Sequence, residues 1–194
     1  MNIVIISTYL PYPLNSGGAQ AQYNIIDQLQ QSNNITFIFP VNGQNSMKAM
    51  KHLQTIWKNV TFKPYSYLRQ LSNVSFFLSK AERAIKILCC KNSQRFYVER
   101  ALKPYGFPTD RSFTSFLNQC INEVNADVIQ IDMYPFLTLV DFLPANIRKV
   151  FVHHELRWIR NERLFQNINL TRQERLLLES EKRKELEYLN KYDE

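Results

Sequence analysis

The densest chemistry in the chain lies between His153 and Arg163, where two of the three histidines adjoin Glu155 and are followed by Arg157, Arg160 and Arg163. Imidazoles move protons near neutral pH, and guanidiniums grip anions through paired donors. His153 and His154 are therefore candidates for the reacting centre, and Glu155, Arg157 and Arg160 for binding. Neighbouring histidines on an extended chain point to opposite sides and no third ligand is spaced nearby, which argues against a metal site. The plainer alternative has one histidine packed in a core and the arginines as surface charges. A second place is Asp132-Met133-Tyr134, where the acid can accept from a sugar hydroxyl or cap the next helix, with Tyr134 beside it. A third is Ser16-Gly17-Gly18. Adjacent glycines at a helix start let a ligand approach the backbone, and unpaired N–H groups with the helix dipole favour an anion by about 0.3 to 1 kcal/mol for the dipole alone. The spacing is neither GxGxxG nor a Walker loop, and a simple tight turn would also use these glycines.

All three places follow segments that read as strands. Asn2 to Ser7 is short, apolar and β-branched, and after Gly17-Gly18 the residues Ala21, Ile25, Ile26 and Leu29 recur at helical spacing. A second strand, Ile35 to Val41, precedes a helix from Ser46 to Trp57. A third, Val60 to Tyr65, is placed toward the sheet edge by Pro64. Residues 66–111 read as a mostly helical basic insertion, with Phe77, Ala81, Ala84, Ile85 and Leu88 on one stripe. Ser112 to Val124 is a helix, Asp127 to Asp132 a strand, Phe136 to Phe142 a short helix and Arg148 to His153 a strand. Thr171 with Glu174 forms a capping box opening a helix to about Lys191, whose thin apolar face is Leu177, Leu178, Leu186 and Leu189. Arg175 with Glu179, Glu179 with Arg183 and Glu187 with Lys191 stand four apart on it. Alternating strands and helices predict a Rossmann-like, doubly wound parallel α/β sheet in three layers, a single domain over 1–194. A helix in such a pattern should feed a further strand, so the sequence is expected to stop in mid-pattern.

The composition of 45% hydrophobic and 21% charged residues over 194 positions excludes a disordered tail. No apolar run approaches the roughly 20 residues of a membrane span. The N-terminus carries no secretory pattern, which predicts a cytoplasmic protein. Cys89, Cys90 and Cys120 give neither a disulfide set nor a zinc spacing and are expected to be free thiols. The net charge of +7 is uneven: Lys48 to Arg111 holds 13 bases against three acids, whereas 112–147 holds four acids and no base. Aromatics interleave with this basic stretch, which suits an anionic membrane surface, as solvated helix faces over an aromatic core also would. Nucleic acid is disfavoured, because no helix-turn-helix, zinc or RNP signature accompanies the charge.

Together, the opening strand with Pro11, Pro13, Gly17 and Gly18, the Asp127 to Asp132 strand leading to a helix, and the strand running into His153-His154-Glu155 with Arg157, Arg160 and Arg163 resemble the N-terminal half of a group 1 (family 4) retaining glycosyltransferase of GT-B architecture. The resemblance implies an acceptor-binding domain whose donor-binding partner domain lies outside these residues, and a fragment inactive alone. It implies a nucleotide-sugar donor, no cofactor or metal, and a glycan or lipid-linked acceptor, with polysaccharide synthesis at the inner face of the membrane. Ser16, Gly17 and Gly18 would approach the donor diphosphate, His153 or His154 the reacting sugar, and Asp132, Tyr134, Glu155, Arg157 and Arg160 the acceptor. Gln20 and Gln22 stand where the family usually has a basic residue. A non-catalytic α/β interaction domain and a basic nucleic-acid-binding module using the Lys48 to Arg111 stretch are the rival readings.

Overall fold

The computed structural model describes residues 1–41, 43–66, 98, 101–102, 111–153 and 155–194. Five of its segments are strands: β1 (Asn2–Ile6), β2 (Asn34–Pro40), β3 (Val60–Tyr65), β4 (Val128–Asp132) and β5 (Arg148–Val152). They form one all-parallel sheet in the order β3-β2-β1-β4-β5. The helices between them are α1 (Gly17–Leu29), α2 (Gln44–Ile56), α3 (Arg111–Glu123) and a 3₁₀ helix (Tyr134–Phe142). This is a three-layer, Rossmann-like α/β fold. After β5 come α4 (Arg157–Phe165) and α5 (Arg172–Leu189).

Near-continuous apolar strands are what a parallel sheet covered on both faces requires. β1 pairs with β2 through Ile3↔Ile35 and Ile5↔Phe37, and with β4 through Ile3↔Val128 and Ile5↔Gln130. Because side chains alternate along a strand, Ile3, Ile5, Ile35, Phe37, Phe39, Val60 and Phe62 share one face, which packs with Ile26, Leu53 and Trp57 from α1 and α2. Trp57 also donates its indole N–H to Asp27 at 3.0 Å, so the ring's polar edge is satisfied in the core. On α3, Phe113 meets Tyr65 and Phe136 at ring distances of 4.9 and 5.7 Å. Pro64 does lie on an edge strand, β3, where a missing N–H disturbs no interior ladder.

Cα packing divides the chain into two units, Met1–Ser66 with Tyr105–His154 and Tyr188–Glu194 in the first, and Tyr67–Pro104 with Glu155–Glu187 in the second. In the first unit the residues after α5 run along the outer edge of β5. Asp193 donates its N–H to the Lys149 carbonyl at 2.9 Å, and the Phe151 N–H donates to the Glu194 carbonyl at 2.8 Å. These bonds cover backbone groups that an edge strand would otherwise present. Tyr192 anchors the segment: its buried ring lies 5.0 Å from Phe151 and its hydroxyl donates to the Leu137 carbonyl at 2.7 Å. Tyr192→Phe is expected to cost about 0.5 to 1.5 kcal/mol, the net worth of one buried hydrogen bond. The urea midpoint reads the loss. Burial pushes the Tyr192 phenol well above its ordinary 10.0. A phenol raised in the native state keeps the fold at full stability below the ordinary value, and stability falls as pH climbs past it.

In the second unit, Val98, Leu102 and Phe165 form a small core with Leu178 against it. The expected capping box is present, with Thr171 Oγ1 accepting from the Glu174 N–H at 3.2 Å and Glu174 accepting from the Thr171 N–H at 2.7 Å. The expected apolar face of α5 is present only in part, since Leu178 packs on that core and Leu189 is half-buried. Leu177 and Leu186 are 45% and 43% exposed, while Glu181 and Glu185 are buried. The reason is a demand from α4, whose first turn and Arg157 need carboxylates. Arg175 donates instead to the Leu170 carbonyl, and Lys191, already in the first unit, pairs with Asp141 there at 2.8 Å.

Among the described residues no helix is long and apolar enough to cross a membrane. Cys120 is a buried free thiol, and Cys89 and Cys90 lie outside the described residues. So does most of the basic segment. Of its described part, Lys48, Lys51 and Lys58 are exposed on and after α2.

Candidate functional site

The strand order fixes where a ligand can sit. From β1 the chain moves outward through β2 to β3, then returns to place β4 on the other side of β1. Connections leaving β1 and β4 therefore diverge to opposite faces, opening a crevice at the carboxyl ends of these two strands. The residues there are Ser7 and the loop after β1, the start of α1, and Asp132-Met133-Tyr134 after β4.

The floor of this crevice is polar and buried. Asp132 is 0% exposed and accepts from Gln130 Nε2 at 2.9 Å. It also accepts from Gln22 Nε2 at close range. The same Gln22 nitrogen donates to Ser7 Oγ at 3.0 Å. Ser7 is held in turn by its backbone, whose N–H extends the ladder to the Ile38 carbonyl at 3.0 Å. One amide from α1 thus joins the ends of the two strands that flank the switch. Burial, and after it the negative charge of Asp132, raises the Tyr9 phenol above its ordinary value.

Above the floor, Ser16 caps α1, its Oγ accepting from the Ala19 N–H at 3.2 Å. Gly17 and Gly18 take the first two helical positions, whose N–H groups have no intrahelical acceptor. No acid sits in the first turn to neutralise the dipole. A β-carbon built on Gly17 would meet nothing within 4 Å, so the space beside it is open. The loop before it is tied down by buried Leu10 and Pro11, and Tyr12 stacks on His52 at 4.0 Å. After Asp132, Met133 holds φ of 78°, a left-handed backbone uncommon for a residue with a β-carbon, and its N–H donates to the Val152 carbonyl at 3.2 Å. Tyr134 then opens the 3₁₀ helix, partly exposed. Beyond β5, His153 is exposed and its ring stacks on Phe151 at 6.1 Å. His154 lies outside the described residues.

The remaining sequence candidates belong to the second unit. Arg157 is 4% exposed; it pairs with Glu181 at 3.1 Å and donates to the Ala101 carbonyl at 2.7 Å. Glu185 accepts from the N–H groups of Arg157 and Trp158 at 2.9 and 3.0 Å, capping α4 from outside it. Arg160 pairs with Glu155 at 2.7 Å beside an open groove of about 380 Å³ lined by Leu156, Ile159, Arg163 and Leu164 as well. Ser16, Gly17, Gly18, Asp132, Tyr134 and His153 therefore share one unit, and Glu155, Arg157 and Arg160 another. Among the described residues no group of His, Cys, Asp or Glu is arranged to hold a metal ion.

Ser7, Tyr9, Gln22 and Gln130 escaped the sequence reading. Only Gln22 carries a signal, its place about one turn after the glycine pair, where the family that the sequence resembles usually has a basic residue. Compared with models of known families, with curated proteins and with solved structures, the chain matches none.

Proposed function

We propose that this chain is the acceptor-binding half of a glycosyltransferase that moves a sugar from a nucleotide-sugar donor to a glycan or lipid-linked acceptor with retention. The observation that carries the reading is the convergence, at one switch point, of an open glycine-started helix terminus suited to a diphosphate with a buried carboxylate suited to hydroxyls. In this reading the N–H groups of Gly17 and Gly18 stabilise the departing diphosphate, His153 or His154 lies against the reacting sugar, and Tyr134 lines the acceptor path. Preformed N–H dipoles need no reorganisation as charge develops on the leaving group. Glu155 and Arg160, which pair with each other in the second unit, are offered as acceptor contacts within that unit. Arg157 is assigned to the support of α4, because its guanidinium already serves Glu181 and Ala101.

The test joins genetics to turnover. The coding sequence should continue into a further α/β half, and its product should release nucleoside diphosphate from one of the UDP-, GDP-, ADP- or dTDP-linked hexoses. A coding sequence without that half, or a product that consumes none of these donors, overturns the reading. Gly17→Ala sharpens it. The substitution should leave the fold unharmed or stabilise it by about 0.4 to 1 kcal/mol, since alanine restricts the unfolded chain and favours helix. The added methyl should nonetheless raise the donor KM by roughly tenfold, about 1.4 kcal/mol, by filling the space a phosphate needs. An unchanged KM would remove Gly17 from the donor site.

A further inference from the structure

Resting on that reading, one atom in the crevice floor goes beyond it. Gln22 is 2% exposed, and its Nε2 serves both Ser7 Oγ and Asp132 Oδ2. Its Oε1 is buried with no hydrogen-bond partner among the described residues. The amide cannot be turned over to cure this: Oε1 would then face the Asp132 carboxylate, acceptor against acceptor, and Nε2 would be stranded in its place. Buried acceptors left without a donor are rare in folded proteins and mark places where another group completes the bonding.

We propose that Gln22 Oε1 and Asp132 form a subsite for a hydroxyl of a neutral sugar ring, with the hydroxyl donating to Gln22. The acceptor left over in the floor is the Gln22 amide oxygen, which lies on the same side chain that bonds the Asp132 carboxylate and the Ser7 hydroxyl. The diphosphate of a nucleotide sugar, esterified at both ends and ionised, brings only acceptor oxygens and cannot bond to Gln22 Oε1. A hydroxyl both donates and accepts, so it can donate to Oε1 and accept from the Ser7 hydroxyl, which the same Gln22 side chain bonds. The crevice is thereby divided by chemistry, with anionic oxygens at the Gly17-Gly18 terminus and neutral hydroxyls over Gln22 and Asp132. The residues that follow the two buried groups, Thr8 and Tyr9 after Ser7 and Met133 and Tyr134 after Asp132, are all partly exposed, so the floor lies one residue beneath the surface. A site built to bond a hydroxyl rejects analogues lacking it far more strongly than an apolar pocket rejects a missing methylene.

Saturation-transfer NMR on the 194-residue chain tests the subsite, using the methyl α-glycosides of glucose, mannose and galactose, and N-acetylglucosamine. At least one sugar should receive saturation from the wild type, and the Gln22 side-chain amide should shift along the same titration curve. Gln22→Met, nearly isosteric, should weaken that binding at least tenfold while the chain remains folded by circular dichroism. The amide titration needs no variant, so the test survives a Gln22→Met chain that fails to fold. Sugar signals that saturate without moving the Gln22 amide, or that persist unchanged in folded Gln22→Met, overturn the subsite. Absence of saturation for all four sugars overturns it too, while release of nucleoside diphosphate by the product of the longer coding sequence decides the glycosyltransferase reading separately.

Discussion

Arg157→Met is expected to destabilise the second unit by about 3 to 5 kcal/mol, the loss typical of stranding one partner of a buried ion pair. The side chains of Arg157 and Glu181 are 5% and 8% exposed, and water cannot replace what the guanidinium supplies. The Ala101 carbonyl loses its 2.7 Å donor as well. Urea unfolding followed by hydrogen exchange in α4 and α5 should localise the loss to that unit. A loss under about 1 kcal/mol would mean that the site relaxes or admits water, as exposed pairs do. The double variant Arg157→Met with Glu181→Leu should recover much of the loss, since exchanging a whole buried pair for apolar groups is often neutral. Acidity adds an independent check. Burial raises the Glu181 carboxyl above its ordinary 4.5, with Arg157 and Lys184 pulling it back and Glu185 pushing it further up. A carboxyl raised in the native state binds its proton more tightly folded than unfolded, so stability falls as pH rises from the ordinary value through the raised one and is level above. Arg157→Met removes a lowering influence and should extend that falling stretch to higher pH.

That ion network also shows what a single sequence can reveal. All five strands were legible to within one or two residues, because strands of a doubly covered sheet carry their signal in their own composition. The sheet edge at Pro64 and the Thr171-Glu174 cap were legible for the same reason: each depends on residues within a few positions. The face that α5 buries depends on partners far along the chain. Glu181 and Glu185 answer Arg157 from 24 and 28 residues away, and helical periodicity, which ranks residues by their own polarity, chose Leu177 and Leu186 instead. The candidate site divides along the same line. Gly17, Gly18 and Asp132 were found by a positional rule, that ligands meet the carboxyl ends of strands. Gln22 was not, since an amide in mid-helix has no distinctive chemistry until the pairing of β1 with β4 brings Ser7 and Asp132 to it.

Asp132→Leu is expected to cost about 2 to 6 kcal/mol, from two buried amide donors losing their acceptor at about 1 to 3 kcal/mol each. Gln22 and Gln130 both direct Nε2 at this carboxylate, and neither is exposed enough to turn to water. Asp132→Asn keeps one acceptor oxygen at the same place. It should cost roughly half as much, because one of the two contacts then sets an amide N–H₂ against another. Chemical denaturation of both variants reads the difference; equal losses would show that charge rather than acceptor count holds the floor together. Because Gln22 and Asp132 share a bond, Gln22→Met combined with Asp132→Leu should cost less than the sum of the two, with a coupling of about 0.5 to 3 kcal/mol. Strict additivity would separate the two residues energetically and leave the bond from Gln22 to Asp132 without consequence. Any activity lost on changing Asp132 must therefore be measured against a folded control such as Asp132→Asn, whose smaller structural loss lets the binding of a hydroxyl be seen on its own.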